Sequence, residues 1–366
     1  MLAAIDLTLA SRALTGTRVY AESLVEALQS RPEWQVKTVS KARRMSGHGG
    51  VKRLVNGLDL CRWLQADLGR TLREIDADVL HCPAFVAPFQ SPVPVVISFH
   101  DRSFFSLPED PLSGLLLRLL SSFAVRRADG IITFSHAVYD DVIKHYGIDS
   151  ARVSVIHHGV SPRFAIEKTT ADELLNDRFG LAPPYALFVG ALNRRKNLVR
   201  VLDALAMLRR RGECANLQLV LAGPSGNYQA HLEQRARLLG LTGVVRALGW
   251  VPDEYLPALY RGAEMLVFPS LFEGFGLPIL EAMACGVPVL TSTTTSLPEI
   301  AGDAAILVNP LDRNAIARGM RMLHEDAALR GRLRELGLIR ASRFTWETSA
   351  GKTFQAYEQA LGAVRI

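Results

Sequence analysis

Short apolar runs alternate with longer stretches in which apolar residues recur every three or four positions, and this rhythm holds along almost the whole chain. Runs of that length suit strands buried on both faces, and the intervening periodicity suits helices that cover a parallel sheet. In the first half the strand runs fall at 2–7, 36–39, 78–82, 95–99, 130–134 and 153–156, with helical patterns at 19–29, 51–72, 112–127 and 137–146. The second half repeats the order, with strands at 186–189, 217–221, 244–248, 265–268, 287–290 and 305–308, and helices at 198–211, 228–239, 254–261, 278–284 and 315–325. Two doubly wound α/β domains are predicted. The passage between them falls in 161–184, a polar stretch bracketed by Pro162, Pro183 and Pro184, and a last helical pattern at 346–361 follows the second domain.

A chain of 366 residues exceeds what one core usually organises, which agrees with two domains. With 49% hydrophobic and 21% charged residues it has the balance of an ordered globular protein. No segment offers the ~18 apolar residues of a membrane-spanning helix; the run 115–120 comes nearest and Arg118 interrupts it. The opening Met1-Leu2-Ala3-Ala4-Ile5-Asp6 has no basic region before an apolar run, and Cys61, Cys82, Cys214 and Cys285 are widely spaced, with no C-x-x-C pair. A reducing, cytoplasmic location is therefore expected, without a disulfide framework or a zinc site.

The net charge of +6 is concentrated: between Lys37 and Arg70 eight basic residues stand against two acids. Few aromatic side chains accompany them, so nucleic acid is not the expected partner. Two readings stay open, a solvated basic face and peripheral contact with anionic lipid at the inner face of the cell membrane. The apolar stretch 112–127, ending in Arg126-Arg127, would add to the second or be an ordinary buried helix.

The chemistry concentrates in 269–289. After the apolar run 265–268 comes Glu273-Gly274-Phe275-Gly276-Leu277-Pro278, and Glu281 follows Glu273 by eight positions. The glycines permit a tight turn, Pro278 suits a helix start, and the unpaired N–H groups of that start face an anion. Two carboxylates on either side of an anion position suit a molecule with hydroxyls, phosphates and hydroxyls in that order. Ligands of doubly wound sheets sit at the carboxyl ends of strands, where two other loops carry suitable groups. Arg194, Arg195 and Lys196 crowd together after Gly190, as expected if a polyanion lies between them, and His100-Asp101 follows the strand run 95–99. Thr15-Gly16-Thr17-Arg18-Val19-Tyr20 enters a helix after a strand containing Asp6, and Gly249-Trp250-Val251-Pro252 forms a corner in which Trp250 either faces a ligand or belongs to the core.

The E-x7-E spacing around G-F-G-L-P resembles the signature of retaining glycosyltransferase family 4, and F-V-G followed by R-K-N-L is closest to its mannosyltransferase-like branch. The resemblance implies the GT-B fold: two doubly wound Rossmann-like domains facing a central cleft, residues 1–165 binding the acceptor and 166–345 the nucleotide sugar, with 346–366 packing back on the first. It implies that Glu273 binds hydroxyls of the donor sugar and Glu281 the ribose, that the backbone of Gly274, Phe275, Gly276 and Leu277 meets sugar and phosphate, and that Arg195 and Lys196 serve the diphosphate. It further places His100 at the donor sugar, Gly190 and Gly16 near phosphate, Trp250 and Val251 at the nucleobase, and Thr17 and Asp101 on the acceptor side. Ala191 stands where many members have Arg.

The expected activity is retaining transfer of a hexose, mannose or a related 6-deoxyhexose such as rhamnose, from a GDP-sugar to a glycan or polyprenyl-diphosphate-linked glycan in lipopolysaccharide or exopolysaccharide synthesis. Neither metal nor cofactor is expected. Another GT-B enzyme, inverting or epimerising, and an inactive sugar-nucleotide-binding protein are the alternatives. A dinucleotide oxidoreductase is disfavoured, because position 279 after Gly274 and Gly276 is Ile279 rather than glycine.

Overall fold

The computed structural model describes residues 1–10, 16–41, 59–102, 111–224 and 228–364, with backbone alone at 111–117, 176 and 364. Thr15, the basic Arg43, Arg44, Lys52 and Arg53, and the first part of the helix expected at 51–72 lie outside the described residues.

The chain forms two compact units, Met1–His158 with Trp346–Ile366, and Gly159–Thr345. In the first, strands β1 (Leu2–Asp6), β2 (Gln35–Val39), β3 (Val79–Cys82), β4 (Val95–Phe99), β5 (Gly130–Thr133) and β6 (Val153–Val155) pair in the order β2-β1-β3-β4-β5-β6. All its pairings are parallel. β1, β3, β4 and β5 are buried along their whole length, which is why they read as continuous apolar runs rather than alternating ones. Helices follow where local signals permit: Ser135 caps His136–Tyr146 by accepting from the Val138 N–H, and Gly147 ends it at φ 61°. The last helix, Trp346–Val364, packs in this unit against helix Gly16–Gln29 and the sheet.

In the second unit β7 (Tyr185–Val189), β8 (Gln218–Ala222), β9 (Val245–Gly249), β10 (Met265–Phe268), β11 (Val289–Ser292) and β12 (Ala305–Val308) pair in the order β12-β11-β10-β7-β8-β9, again all parallel. The chain leaves β7 toward β8 on one side and returns to β10 on the other. Crossovers on opposite faces open a crevice between the carboxyl ends of β7 and β10, where the loops 190–197 and 269–276 begin.

The doubly wound architecture and the strand positions agree with the sequence reading, apart from shifts of a residue or two at the ends. Helices Thr170–Glu173, Leu175–Phe179, Leu297–Ala301 and Ala327–Ala341 were not anticipated. The last of these carries Gly331 and Gly337 in its interior, which argue against a helix by propensity. Packing outweighs propensity here: a Cβ on Gly337 would lie 3.1 Å from Met283 Cγ, so glycine is what lets this helix approach helix Leu277–Ala284 so closely.

Candidate active site

The crevice of the second unit brings Arg195, Lys196 and Glu273 into direct contact. Arg195 Nη1 donates to Glu273 Oε2 at 2.7 Å, and Lys196 Nζ donates to Oε1 at 2.7 Å, so one carboxylate bridges two cations. Arg195 Nη1 also reaches the Phe272 carbonyl at 2.9 Å. Lys196 is buried, with its ammonium 4.8 Å from the ring centre of Phe268, which itself stacks on Phe188. Burial acts most strongly on the Glu273 carboxyl and raises its pKa, but the charges of Arg195 and Lys196 and the hydrogen bond from Lys196 together hold it below the usual carboxylate range.

Local backbone chemistry fixes this cluster. Asn197 takes the left-handed conformation at φ 62°, which asparagine tolerates better than most residues, and its Nδ2 donates to the carbonyls of Pro269 and Pro310 at 3.0 and 2.7 Å. The loop after β7 is thereby tied to those after β10 and β12, and the Leu271 N–H bonds the Arg195 carbonyl at 2.8 Å. Thr295 is also left-handed, at φ 55°, an unusual state for a β-branched residue. Its hydroxyl accepts from the Glu273 N–H at 3.1 Å and donates to the Thr294 carbonyl at 2.8 Å, so the strained backbone holds the glutamate in place. The Ser296 hydroxyl lies 3.0 and 2.7 Å from the carbonyls of Glu273 and Phe275. Asn197, Thr295 and Ser296 were not singled out as site residues. Asn197 offered a signal as one of the two amides, with Asn193, that flank the basic run, whereas Thr295 and Ser296 are hidden in a run of threonines and serines.

Gly274, Phe275 and Gly276 are buried, and Gly276, at φ 122°, leads into helix Leu277–Ala284. Glu281 projects from that helix, buried, and its Oε2 accepts from the Tyr260 hydroxyl at 2.7 Å. Burial pushes its carboxyl up to about 6, and the Tyr260 hydroxyl and Arg163 offset this only in part. A carboxyl raised in this way binds its proton more tightly folded than unfolded, so its contribution to stability is full below the unfolded value and is lost as pH rises through about 6. A shift of that size corresponds to about 2 kcal/mol. Glu281→Gln is therefore expected to be more stable than the parent by about 1–2 kcal/mol at pH 7.5, with the gap closing near pH 4. Thermal unfolding at the two pH values checks this, and equal stability at pH 7.5 would contradict it.

Gly190, at φ 145°, stands over Lys196, whose Cε would lie 3.6 Å from an added Cβ. At the end of β9 Val251 is buried but Trp250 is 66% exposed, so Trp250 is a surface group and the core alternative is excluded. In the first unit Gly16 opens its helix with no atom within 4 Å of a Cβ position, and Thr17 beside it is half-buried. Half-buried Asp101 follows half-buried His100, whose Nε2 is 2.9 Å from the Pro83 carbonyl. A carbonyl only accepts, so Nε2 carries a proton; burial lowers the pKa of the ring, against smaller opposing effects of Pro83 and Asp101, and keeps it neutral, with the lone pair on Nδ1.

A carboxylate clamped by two cations beside a helix start, at the switch point of a doubly wound sheet, is suited to a sugar joined to phosphate. The comparisons agree. Residues 176–338 match the family model of glycosyl transferases group 1, and residues 14–164 that of Glycosyltransferase Family 4. The chain is 34% identical to O-antigen chain mannosyltransferase B of Escherichia coli over 78% of its own length and 76% of that protein. It is also 34% identical to the serotype-specific mannosyltransferase WbdA of Escherichia coli over 64% of this chain, a match that spans 29% of WbdA. The solved structure of Anabaena HepE in complex with UDP-glucose superposes with a TM-score of 0.77 at 21% identity, covering 98% of this chain and 99% of that one, which supports the GT-B fold. The chain is a glycosyltransferase. It belongs to glycosyltransferase family 4, in the mannosyltransferase-like group.

Among the described residues no helix is long and apolar enough to cross a membrane.

Proposed function

We propose that this glycosyltransferase moves mannose, or a related 6-deoxyhexose such as rhamnose, from a GDP-sugar to a glycan or polyprenyl-diphosphate-linked glycan in lipopolysaccharide or exopolysaccharide synthesis, with retention of anomeric configuration. The observation that carries the reading is the bridge from Glu273 to Arg195 and Lys196 at the start of the glycine turn. As the glycosidic bond breaks, negative charge grows on the leaving diphosphate, and preorganised cations lower that barrier without reorganisation. A guanidinium has five N–H donors and an ammonium three, so holding Glu273 is compatible with holding phosphate oxygens. With both oxygens engaged by charged donors and its pKa lowered, Glu273 is a poor nucleophile; it orients a sugar hydroxyl rather than forming a glycosyl-enzyme. Glu281 takes the ribose, and His100 accepts a hydroxyl hydrogen of the hexose at Nδ1. The relatives named as mannosyltransferases support mannose as the transferred sugar, whereas HepE was solved with UDP-glucose, so the base is the point to be decided.

Turnover of GDP-mannose, GDP-rhamnose, UDP-glucose and dTDP-rhamnose, with the product anomer read by NMR, tests the proposal. A GDP-sugar should be used at least about tenfold faster than the others, as specificity resting on base contacts requires, and the product should be the retained anomer. Turnover should also persist in EDTA, because the charge on the diphosphate is met by Arg195 and Lys196. Preference for another base, an inverted product or loss of turnover in EDTA would each overturn the corresponding part.

A further inference from the structure

Tyr20, His81, Ser98 and Tyr357 are buried in the N-terminal unit and form one continuous line of hydrogen bonds. The Tyr357 hydroxyl is 2.7 Å from His81 Nδ1, His81 Nε2 is 2.8 Å from Ser98 Oγ, and Ser98 Oγ is 2.8 Å from the Tyr20 hydroxyl. Each residue comes from a different element: the last helix Trp346–Val364, β3, β4 and helix Gly16–Gln29. Apolar side chains could fill the same space without desolvating polar groups, so a line of this kind is tolerated only because each member satisfies the next. Burial, helped by His100, lowers the His81 ring to about 3, so it stays neutral and passes one donor and one acceptor along the line.

The line ends beside His100. The Tyr20 ring stacks on His158 at 4.9 Å, tilts against Phe134 at 4.6 Å and meets His100 edge-on at 5.5 Å. Phe134 is itself 4.7 Å from His100. These rings wall the imidazole whose Nε2 is held by the Pro83 carbonyl. Ring faces alone resist sliding weakly, whereas a phenol anchored at its hydroxyl is fixed.

We propose that the buried line from Tyr357 through His81 and Ser98 to Tyr20 positions the His100 imidazole, so that Tyr357, on the last helix, is a positioning residue for a side chain at the far end of β4. The catalytic consequence rests on the reading above that His100 meets the transferred hexose. The positioning itself does not.

The test uses the full chain with 15N-labelled histidine, and compares the parent with Ser98→Ala, Tyr357→Phe, the double variant and the conservative Ser98→Thr. The His100 Nε2–H signal is assigned by its loss in His100→Gln. It should exchange slowly in the parent and in Ser98→Thr, and at least about tenfold faster in Ser98→Ala and Tyr357→Phe. Donor turnover should fall about tenfold in kcat with KM changed by less than about twofold in each of these two variants. The double variant should be no worse than either single one, since a line broken once is already broken. Unchanged His100 exchange in both variants, whatever happens to Tm, would reduce the line to packing and overturn the proposal. Faster exchange in variants of a parent that turns over no sugar nucleotide would uphold the positioning and remove the functional reading instead.

Discussion

Glu273→Gln is expected to lower transfer by about two to three orders of magnitude while GDP binds at least as tightly as before. The substitution keeps the shape and removes the charge. In the parent, one carboxylate neutralises one of the two cations it bridges, at 2.7 Å on each side. Without it, Arg195 and Lys196 present an additional positive charge to a diphosphate, and the group that orients the sugar is weakened. Stability should move the other way, because the buried Lys196 ammonium loses the counter-charge of the carboxylate at 2.7 Å, and breaking a buried ion pair costs up to about 3–5 kcal/mol. Bound GDP would supply counter-charge, so the deficit in Tm should shrink as GDP is added. Glu273→Ala should abolish transfer with GDP binding largely intact. Steady-state kinetics, calorimetric GDP titration and thermal unfolding with and without GDP measure the three effects. A parallel loss of GDP affinity would assign Glu273 to the nucleotide and remove its sugar role.

Much of this was legible because parallel strands covered on both faces appear in sequence as unbroken apolar runs. β4 and β10 were located to the residue, and edge strands such as β9 to within one. Glu273, Arg195 and Lys196 stood out because charge crowded at a strand end is costly unless an anion or a counter-ion meets it. The counter-ion itself was not legible: cations at a strand end point to phosphate and the acid to a sugar, whereas in the structure they bind one another. That pairing spans 77 and 78 residues of sequence, a separation over which spacing carries no information. Thr295 was illegible for another reason. Its left-handed backbone is imposed by the loop that supports Glu273, and threonine is the wrong residue to signal such a conformation. Helix Ala327–Ala341 shows the converse, where glycines that suggest a break serve instead as sites of close helix approach.

Close approach also underlies the largest effect expected on stability, that of Gly223→Ala. Gly223 sits at the end of β8 with φ 141°, a conformation closed to L side chains at ordinary cost. A Cβ there would lie 2.2 Å from the Gly190 carbonyl oxygen and 2.6 Å from its carbon. Both atoms are backbone and cannot swing aside. The surrounding ladder fixes them further: Gly190 N–H bonds the Ala222 carbonyl at 2.8 Å, Gly223 N–H the Gly249 carbonyl at 2.7 Å, and Leu192 N–H the Pro224 carbonyl at 3.1 Å. A methyl group must therefore part the carboxyl ends of β7, β8 and β9 or displace the loop that leads to Arg195 and Lys196. Clash and backbone strain together should exceed about 4 kcal/mol, the range reserved for exceptional single substitutions. Against a total stability of about 5–15 kcal/mol, much of the protein should fail to accumulate in soluble form. Gly212→Ala is the control, since φ is 73° but nothing lies within 4 Å of its Cβ position, leaving backbone strain alone. Soluble yield and calorimetric unfolding of the two variants separate the effects. A soluble Gly223→Ala protein melting within about 2 °C of the parent would show that the strand ends yield easily, and would undercut the rigidity on which the preorganised cation pair depends.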